Sequence, residues 1–172
     1  MNETLVIGID QGYANIGVAI LGYNDTTKKI SIKETVTITT KPQFSIQKRL
    51  AIIYDRINGL LENYENVKYG ACERLFHNDK MKNGRNKSAN IMYTNMATGA
   101  IYLLCERRKI EMYEFAPTTV KKVLTNNGRA DKDEVAEAMK DLLKKYKVDV
   151  KTNHESDAIA IGITFIKKHL ET

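Results

Sequence analysis

Three carboxylates stand at comparable places in the sequence, where apolar segments begin or end. Asp10 follows the short apolar run 5–9, Glu73 ends the run 67–73, and Asp157 lies in the first turn of a segment to Leu170 that is nearly apolar over its first turns. An unpaired buried carboxylate is costly, so each acid needs a partner. Taken together, three such acids on adjacent elements of one sheet predict a divalent-metal site, because hard cations such as Mg²⁺ are held by a few carboxylates with water and phosphate oxygens.

Each acid also has a local explanation. Asp157 could interact with the positive end of a helix dipole, and Glu73 could pair with Arg74. A fourth ligand can come from the segment around Asp157. His154 precedes Asp157 by three residues, so the two side chains project from the same side of a helix, whereas Glu155 is turned away from them. We prefer His154 to Glu155 as the fourth ligand, and the sequence leaves the choice open.

The elements that carry these residues begin with three strands. The runs 5–9 and 15–21 are short and apolar and are joined through Gly12, which predicts a hairpin with Asp10 at its open end. The alternating segment 29–39 predicts a third antiparallel strand. After a helix over 46–61, with Ser45 as its N-cap, the segments 67–73 and 111–115 predict two further strands separated by a helix over 88–108.

The remaining elements are helical. Pro117 suits the first turn of a short helix that extends to Leu124, and apolar spacing predicts a second helix over 135–143 and a last helix over 154–170. The helix over 88–108 carries the small residues Ala97, Gly99 and Ala100, which permit close packing within the core or, as the alternative, against a second subunit. The polar segment 77–90 predicts an exposed basic loop; its cations are Lys80, Lys82, Arg85 and Lys87.

Length and composition limit the class of protein. The 172 residues fit a single domain over 1–172, long enough to bury a core without disulfides or structural metals. The 27 Lys and Arg against 21 Asp and Glu give a formal charge of +6, which favours an anionic partner such as nucleic acid. Neither a signal peptide nor a membrane span fits the N-terminus, so we expect an intracellular, cytoplasmic protein with Cys72 and Cys105 as packed free thiols.

Five segments in order along nearly the whole chain resemble one family. They are Gly8-Ile9-Asp10-Gln11-Gly12 through Gly17-Val18-Ala19, Glu73-Arg74-Leu75-Phe76, Ala116-Pro117-Thr118-Thr119-Val120-Lys121-Lys122, Gly128-Arg129-Ala130-Asp131-Lys132-Asp133-Glu134-Val135, and Asp157-Ala158-Ile159-Ala160-Ile161. Together they are similar to the RuvC family of Holliday-junction resolvases. The resemblance implies an α/β, ribonuclease H-like fold with a five-stranded mixed sheet, three antiparallel strands then two parallel, flanked by helices.

The resemblance also implies roles for individual residues. The catalytic and metal-binding residues would be Asp10, Glu73, His154 and Asp157, holding two Mg²⁺ or Mn²⁺ ions. Phe76 would stack on bases near the junction centre, and Lys121 and Lys132 would contact DNA; we expect the same of Arg74, Lys122 and Arg129. The implied activity is a homodimer that makes paired nicks in opposed strands of four-way DNA junctions, leaving 5′-phosphate and 3′-hydroxyl ends.

Three other functions are compatible with parts of this pattern. A nuclease of the same fold could cut branched or flap DNA more broadly. An actin-like nucleotide-binding protein would share the hairpin around Asp10, but it needs a second phosphate loop and a much longer chain. A non-catalytic junction-binding module would keep Lys121, Lys132 and Phe76 without any dependence on divalent ions.

Overall fold

The computed structural model describes residues 3–75 and 87–171, with residues 87–90 described by their backbone only. Phe76 and the predicted loop cations Lys80, Lys82 and Arg85 lie outside the described residues, as does the side chain of Lys87.

Five strands form one mixed sheet, as the sequence predicts. They are β1 (Glu3–Asp10), β2 (Asn15–Asn24), β3 (Lys29–Thr39), β4 (Val67–Glu73) and β5 (Glu111–Phe115). Their order across the sheet is β3-β2-β1-β4-β5. β1 is antiparallel to β2, and β2 to β3, whereas β4 runs parallel to both β1 and β5. The carboxyl ends of the parallel strands β1 and β4, which carry Asp10 and Glu73, therefore meet at the same edge of the sheet.

Helices cover both faces of this sheet. They are α1 (Ile46–Glu62), α2 (Lys87–Arg107), α3 (Pro117–Thr125), α4 (Lys132–Tyr146) and α5 (Asn153–Phe165), the last continued by a π-helical turn over Ile166–Leu170. Ile7 and Ile9 of β1 belong to the core formed with α1 and α2, whereas Val6 belongs to the core formed with α3, α4 and α5. Residues 5–9 of β1 are apolar because this part of the strand is covered on both faces of the sheet.

The helices α1, α4 and α5 begin at side-chain caps. Ser45 accepts a hydrogen bond from the backbone N–H of Lys48, as predicted for the start of α1. Asp131 caps α4 and forms a reciprocal capping box with Glu134, and Thr152 caps α5 by accepting from the N–H of Glu155. These caps fix where α4 and α5 begin, and both helices begin close to predicted site residues.

Two glycines let α5 lie directly on the hairpin of β1 and β2. A Cβ atom added to Gly8 would stand 2.1 Å from the carbonyl oxygen of Ala158, and one added to Gly17 would stand 1.8 Å from that of His154. Only glycine permits such a close approach of two backbones. The first turn of α5 is therefore seated over the end of β1, which places His154 beside Asp10.

Several details refine the sequence predictions. Cys72 and Cys105 are free and buried as predicted, and burial raises the pKa of their thiols to about 11 and about 12. The small residues of α2 do not share one environment: Ala97 is fully buried, whereas a Cβ on Gly99 would meet open space. In α1, Ile46 is exposed, so the apolar stripe begins later than its spacing predicts. Within the described residues, no helix is long and apolar enough to cross a membrane.

Candidate active site

Asp10 and His154 make the closest contact of the site. The Nδ1 atom of His154 lies 2.6 Å from Oδ2 of Asp10, a hydrogen bond between the end of β1 and the first turn of α5. Burial raises the pKa of the Asp10 carboxyl, and the hydrogen bond and charge of His154 partly offset this effect. When Nδ1 carries the proton and donates it to Asp10, Nε2 is left with a free lone pair that can bind a metal ion.

Glu73 is held in place by the side chain of Gln11. The parallel pairing of β1 with β4 ends at Ile9 opposite Cys72. Two residues after Ile9, Gln11 continues the ladder with its side chain: Nε2 donates to the carbonyl oxygen of Glu73 at 2.7 Å, and Oε1 accepts from the Glu73 N–H at 3.1 Å. This two-point contact fixes the backbone from which the Glu73 carboxylate extends. Nothing in the sequence singled out Gln11, because a glutamine after a strand is ordinary.

The three carboxylates are electrostatically coupled. Burial and then the charge of Asp10 raise the pKa of Asp157 to about 6, while His154 lowers it. Burial raises the pKa of Glu73 as well, followed by the charges of Asp10 and Asp157, and Lys121 acts in the opposite direction. Each acid thus feels the others across three different elements. Such mutual repulsion is what a bound divalent cation would relieve.

The donor set fits a divalent ion by its chemistry. Carboxylate oxygens and a neutral imidazole are suitable ligands for Mg²⁺ or Mn²⁺. Within the described residues, however, no three His, Cys, Asp or Glu side chains are already gathered closely enough to hold an ion. The carboxylates repel one another, and His154 occupies one oxygen of Asp10. Binding of an ion would have to offset that repulsion.

Glu155, the alternative fourth ligand, points away from Asp10. Its carboxylate is only 2% exposed and accepts hydrogen bonds from the hydroxyls of Thr35 and Thr37 on β3 and from the N–H of Lys151. All three donors come from the side of α5 that faces β3. The structure therefore brings His154, and not Glu155, to the acid at the end of β1. Glu155 instead ties the start of α5 to the sheet.

The turn that follows Asp10 is fixed by an arginine. Arg49 of α1 lies 3.6 Å from the centre of the Tyr13 ring, and its Nη2 atom donates to the Tyr13 carbonyl oxygen. Its Nε atom donates to the hydroxyl of Thr40, which in turn donates to the same carbonyl. Tyr13 also stacks on Tyr93 of α2 with 4.9 Å between ring centres. This cluster holds the hairpin turn rigid next to Asp10.

The predicted DNA-binding residues fall into different surroundings. Lys121 donates to the carbonyl oxygen of Ala130 at 2.7 Å, and its charge acts on Glu73. Lys132 lines a cleft together with Asp157 and Lys121. Lys122 and Arg129 are exposed outside that cleft. Arg74 is exposed and lies 3.6 Å from a carboxylate oxygen of Glu114. The structure thus brings Lys121 near Glu73 and places Lys132 in the same cleft as Asp157, whereas Phe76 lies outside the described residues.

Comparisons with known proteins agree with this architecture. The family model for "Crossover junction endodeoxyribonuclease RuvC" matches residues 6–165. A relative of that name from Finegoldia magna is 31% identical over 161 residues, which cover 94% of this chain and 92% of the relative. Another from Clostridioides difficile is 30% identical and covers 92% and 88%.

Two solved structures have the same fold. RuvC from Thermus thermophilus superposes with a TM-score of 0.77 at 24% identity, covering 96% of both chains. The same protein in complex with a Holliday junction superposes with a TM-score of 0.80 at 22% identity, covering 98% of this chain and 97% of the other. The mixed sheet and its helices are thus the ribonuclease H-like fold of those structures. With the match of the family model over nearly its whole length, the chain belongs to the RuvC family of crossover junction endodeoxyribonucleases.

Proposed function

We propose that this protein is a DNA endonuclease that resolves four-way junctions by paired nicks in opposed strands. The proposal is supported by the hydrogen bond between Asp10 and His154 and by the electrostatic coupling of Asp10, Glu73 and Asp157, in a chain that its RuvC relatives match over almost its full length. The relatives are named for cutting crossover junctions, and one solved relative is bound to a Holliday junction. We further propose that it works as one domain in the cytoplasm of a bacterial or phage-infected cell.

Nucleases of this family depend on divalent metal ions. We propose that Asp10, Glu73, Asp157 and His154, through Nε2, hold two Mg²⁺ or Mn²⁺ ions. Ions held there would supply activation of a water molecule and stabilisation of the leaving 3′ oxygen, and hydrolysis of this kind would leave 5′-phosphate and 3′-hydroxyl ends. The raised pKa of Asp157, about 6, still leaves its carboxylate ionised at neutral pH and able to bind a cation.

The chain's own residues orient the site for this reaction. His154 donates to Asp10 and fixes the direction of that carboxylate. Gln11 fixes Glu73 through its main chain. The charge of Lys121 lies near Glu73, on the side where a DNA phosphate must enter. Positioning of this kind restricts the reacting groups to one geometry before the substrate arrives.

We propose that Phe76, Lys132, Arg74, Lys122 and Arg129 also contact DNA. Phe76 would stack on a base, an interaction worth about 1–3 kcal/mol. Lys132 has the strongest support because it lines the same cleft as Asp157. Arg74 has a competing partner in Glu114, so its contact with DNA would require that ion pair to open.

We propose that a second copy of the chain covers an exposed stripe on α2. Met92, Met96 and Leu103 are exposed by 47%, 41% and 51%, and Gly99 faces open space between them. Their spacing of four, three and four residues places them on one face of the helix. Two copies joined through this face by a two-fold axis would present two sites to the opposed strands of a junction, as paired nicking requires. A Met96→Lys variant should sediment as a monomer and retain the parent's circular dichroism spectrum; a persistent dimer would contradict this interface.

The function is tested by cleavage of a substrate panel. The protein is incubated with a four-way junction, a flap and a duplex of matched sequence, with Mg²⁺, with Mn²⁺ and with EDTA. We expect symmetrical nicks in the junction with either metal and none with EDTA. Equal cutting of flap and junction would favour the broader branched-DNA nuclease, and ATP binding without nicking would favour the actin-like alternative. Asp10→Asn should abolish nicking while junction binding persists, whereas Asp55→Asn on the exposed surface of α1 should change neither.

A further inference from the structure

A cleft of about 1090 Å³ opens beside Asp157 and extends away from the four proposed catalytic residues. It lies between α4, the segment 147–150 and the start of α5. Its charged lining includes the five lysines Lys121, Lys132, Lys140, Lys144 and Lys147 and the acids Asp149 and Asp157. Its apolar lining consists of Val135, Ala136, Met139, Leu143, Val148 and Val150. The cleft thus combines an apolar floor with a strongly basic rim.

The charges of α4 are separated by helix face. The opposite face carries Asp133, Glu134, Glu137 and Asp141, which line a different depression together with Thr125. On the cleft face, Lys140 and Lys144 are four residues apart, a spacing at which like charges destabilise a helix. Within residues 3–75 and 87–171, no carboxylate forms an ion pair with Lys140, Lys144 or Lys147. These three lysines of the rim therefore have no ion-pair partner in the described part of the chain.

Local helix effects account for only some of these lysines. The helix dipole favours cations in the last turn of α4, where Lys144 lies, but disfavours Lys132 in the first turn. Lys147 has a φ of 54° at the end of α4, where its N–H donates to the carbonyl oxygens of Leu143 and Lys144. Glycine is the residue that adopts this conformation most easily, so a lysine there carries a conformational cost. An anion bound in the cleft would offset the mutual repulsion of these lysines.

We infer that this cleft binds the sugar–phosphate backbone of the DNA arm that adjoins the phosphate to be cut. Phosphates would lie on the lysine rim, and the apolar faces of the deoxyriboses would lie on the floor. From Lys132 to Lys144 the helix extends about 18 Å at 1.5 Å per residue. This length matches the rise of roughly five phosphates of one strand along the duplex axis. The inference rests on the proposed function in one respect, that the cut phosphate lies at Asp157. It adds Lys140, Lys144 and Lys147 to the residues that contact DNA.

The test compares two triple variants that lose the same number of charges. One is Lys140→Gln/Lys144→Gln/Lys147→Gln in the cleft, and the other is Lys145→Gln/Lys167→Gln/Lys168→Gln. Lys145 and Lys167 line a separate depression, and Lys168 is exposed next to it in the chain. Affinity for a labelled four-way junction is measured by fluorescence anisotropy in EDTA, where the junction stays intact, from 50 to 200 mM salt. Because both variants lose three charges, a general electrostatic effect would be the same in both.

The DNA affinity of the cleft variant should depend less on salt than that of the parent, whereas the control should keep the salt dependence of the parent. Each lost phosphate contact lowers the slope of log affinity against log salt by about 0.9, so three contacts lower it by about 2.7. Over this fourfold range of salt, the parent's affinity should fall about 40-fold more than that of the cleft variant. Equal slopes in the two triple variants would overturn the inference.

A single variant separates binding from folding. Lys147→Gly removes one charge and places glycine where the backbone favours it, so the melting temperature should stay the same or rise while the salt slope falls by about 0.9. An unchanged slope would count against the inference. Cleavage of the junction by the parent with Mg²⁺ is measured separately. If the parent cleaves and the two triple variants have equal slopes, only this inference is refuted. If the slopes differ and the parent does not cleave, DNA binding in the cleft is supported and the proposed nuclease activity is refuted.

Discussion

Replacing Gly17 with alanine forces a methyl group into the backbone of α5. The added Cβ would stand 1.8 Å from the carbonyl oxygen of His154, and ordinary contact begins at 3.4 Å, so the two elements must separate by 3.4 − 1.8 = 1.6 Å. The obstructing atoms belong to the main chain, which has no side-chain rotation to relieve the clash. The first turn of α5, with His154 and Asp157, would therefore move away from Asp10.

Two losses should follow from that displacement. Overpacking of this kind destabilises a protein by about 1–3 kcal/mol, which urea unfolding in EDTA would detect. Nicking of a four-way junction should slow on the order of 100-fold, because a shift of about 1 Å in a catalytic group can cost that much. The rate is measured under single-turnover conditions with Mg²⁺, at a temperature at which the variant is fully folded.

Gly59→Ala is the matched control. Gly59 lies inside α1, and a Cβ there would meet nothing within 4 Å. Alanine should stabilise this helix by about 0.5–1 kcal/mol and leave nicking unchanged. Gly17→Ala protein with the parent's stability and rate would refute the reasoning, because it would mean that α5 does not lie on the hairpin as described.

Three further predictions follow from the site. Gln11→Ala should slow nicking about 10-fold with the fold intact, because both contacts to the main chain of Glu73 are lost. Gln47→Ala on the surface of α1 should leave the nicking rate unchanged, and equal rates in the two variants would exclude a positioning role for Gln11. In EDTA, the free energy of unfolding measured with urea should fall as pH rises from about 4 to 6. In this range Asp157, with a pKa of about 6, keeps its proton in the folded protein, whereas in the unfolded chain, with a pKa near 3.8, it has released the proton. Asp157→Asn should reduce that decline, and an unchanged pH profile would contradict the coupling. Glu155→Ala should destabilise the protein by about 1–3 kcal/mol, measured in the same way, because three donors lose their acceptor; no change would mean that they find water instead.

The strands were predictable because their patterns are local. Polar and apolar residues alternate over β3, and β1 and β4 contain apolar runs, according to which faces of the sheet are buried. Each of these segments ends at a charged residue or a turn. Asp10 and Glu73 could be recognised for the same reason, since an acid at the end of a buried strand conflicts with its surroundings. Helical spacing alone favours His154 over Glu155 as the fourth ligand, and the structure brings His154 to Asp10.

Other features depend on contacts between distant elements and left no local signal. The amide of Gln11 bonds to a main chain 62 residues away, and the space that Gly17 leaves is filled by a backbone carbonyl of α5. The glycines of the hairpin were visible in the sequence, but their role in packing α5 was not. Likewise, the sequence gives no sign that the lysines of α4 share a cleft, because the cleft forms only where α4 packs beside α5.

Asp157 is expected to act together with Asp10, Glu73 and His154 in metal-dependent cleavage. A direct test is the single-turnover rate of junction nicking by Asp157→Asn protein at saturating Mg²⁺, with Asp55→Asn on the exposed surface of α1 as control. We expect a loss of at least about 100-fold for Asp157→Asn with junction affinity retained, and a parental rate for Asp55→Asn. A parental nicking rate in the Asp157→Asn protein would contradict this role of Asp157.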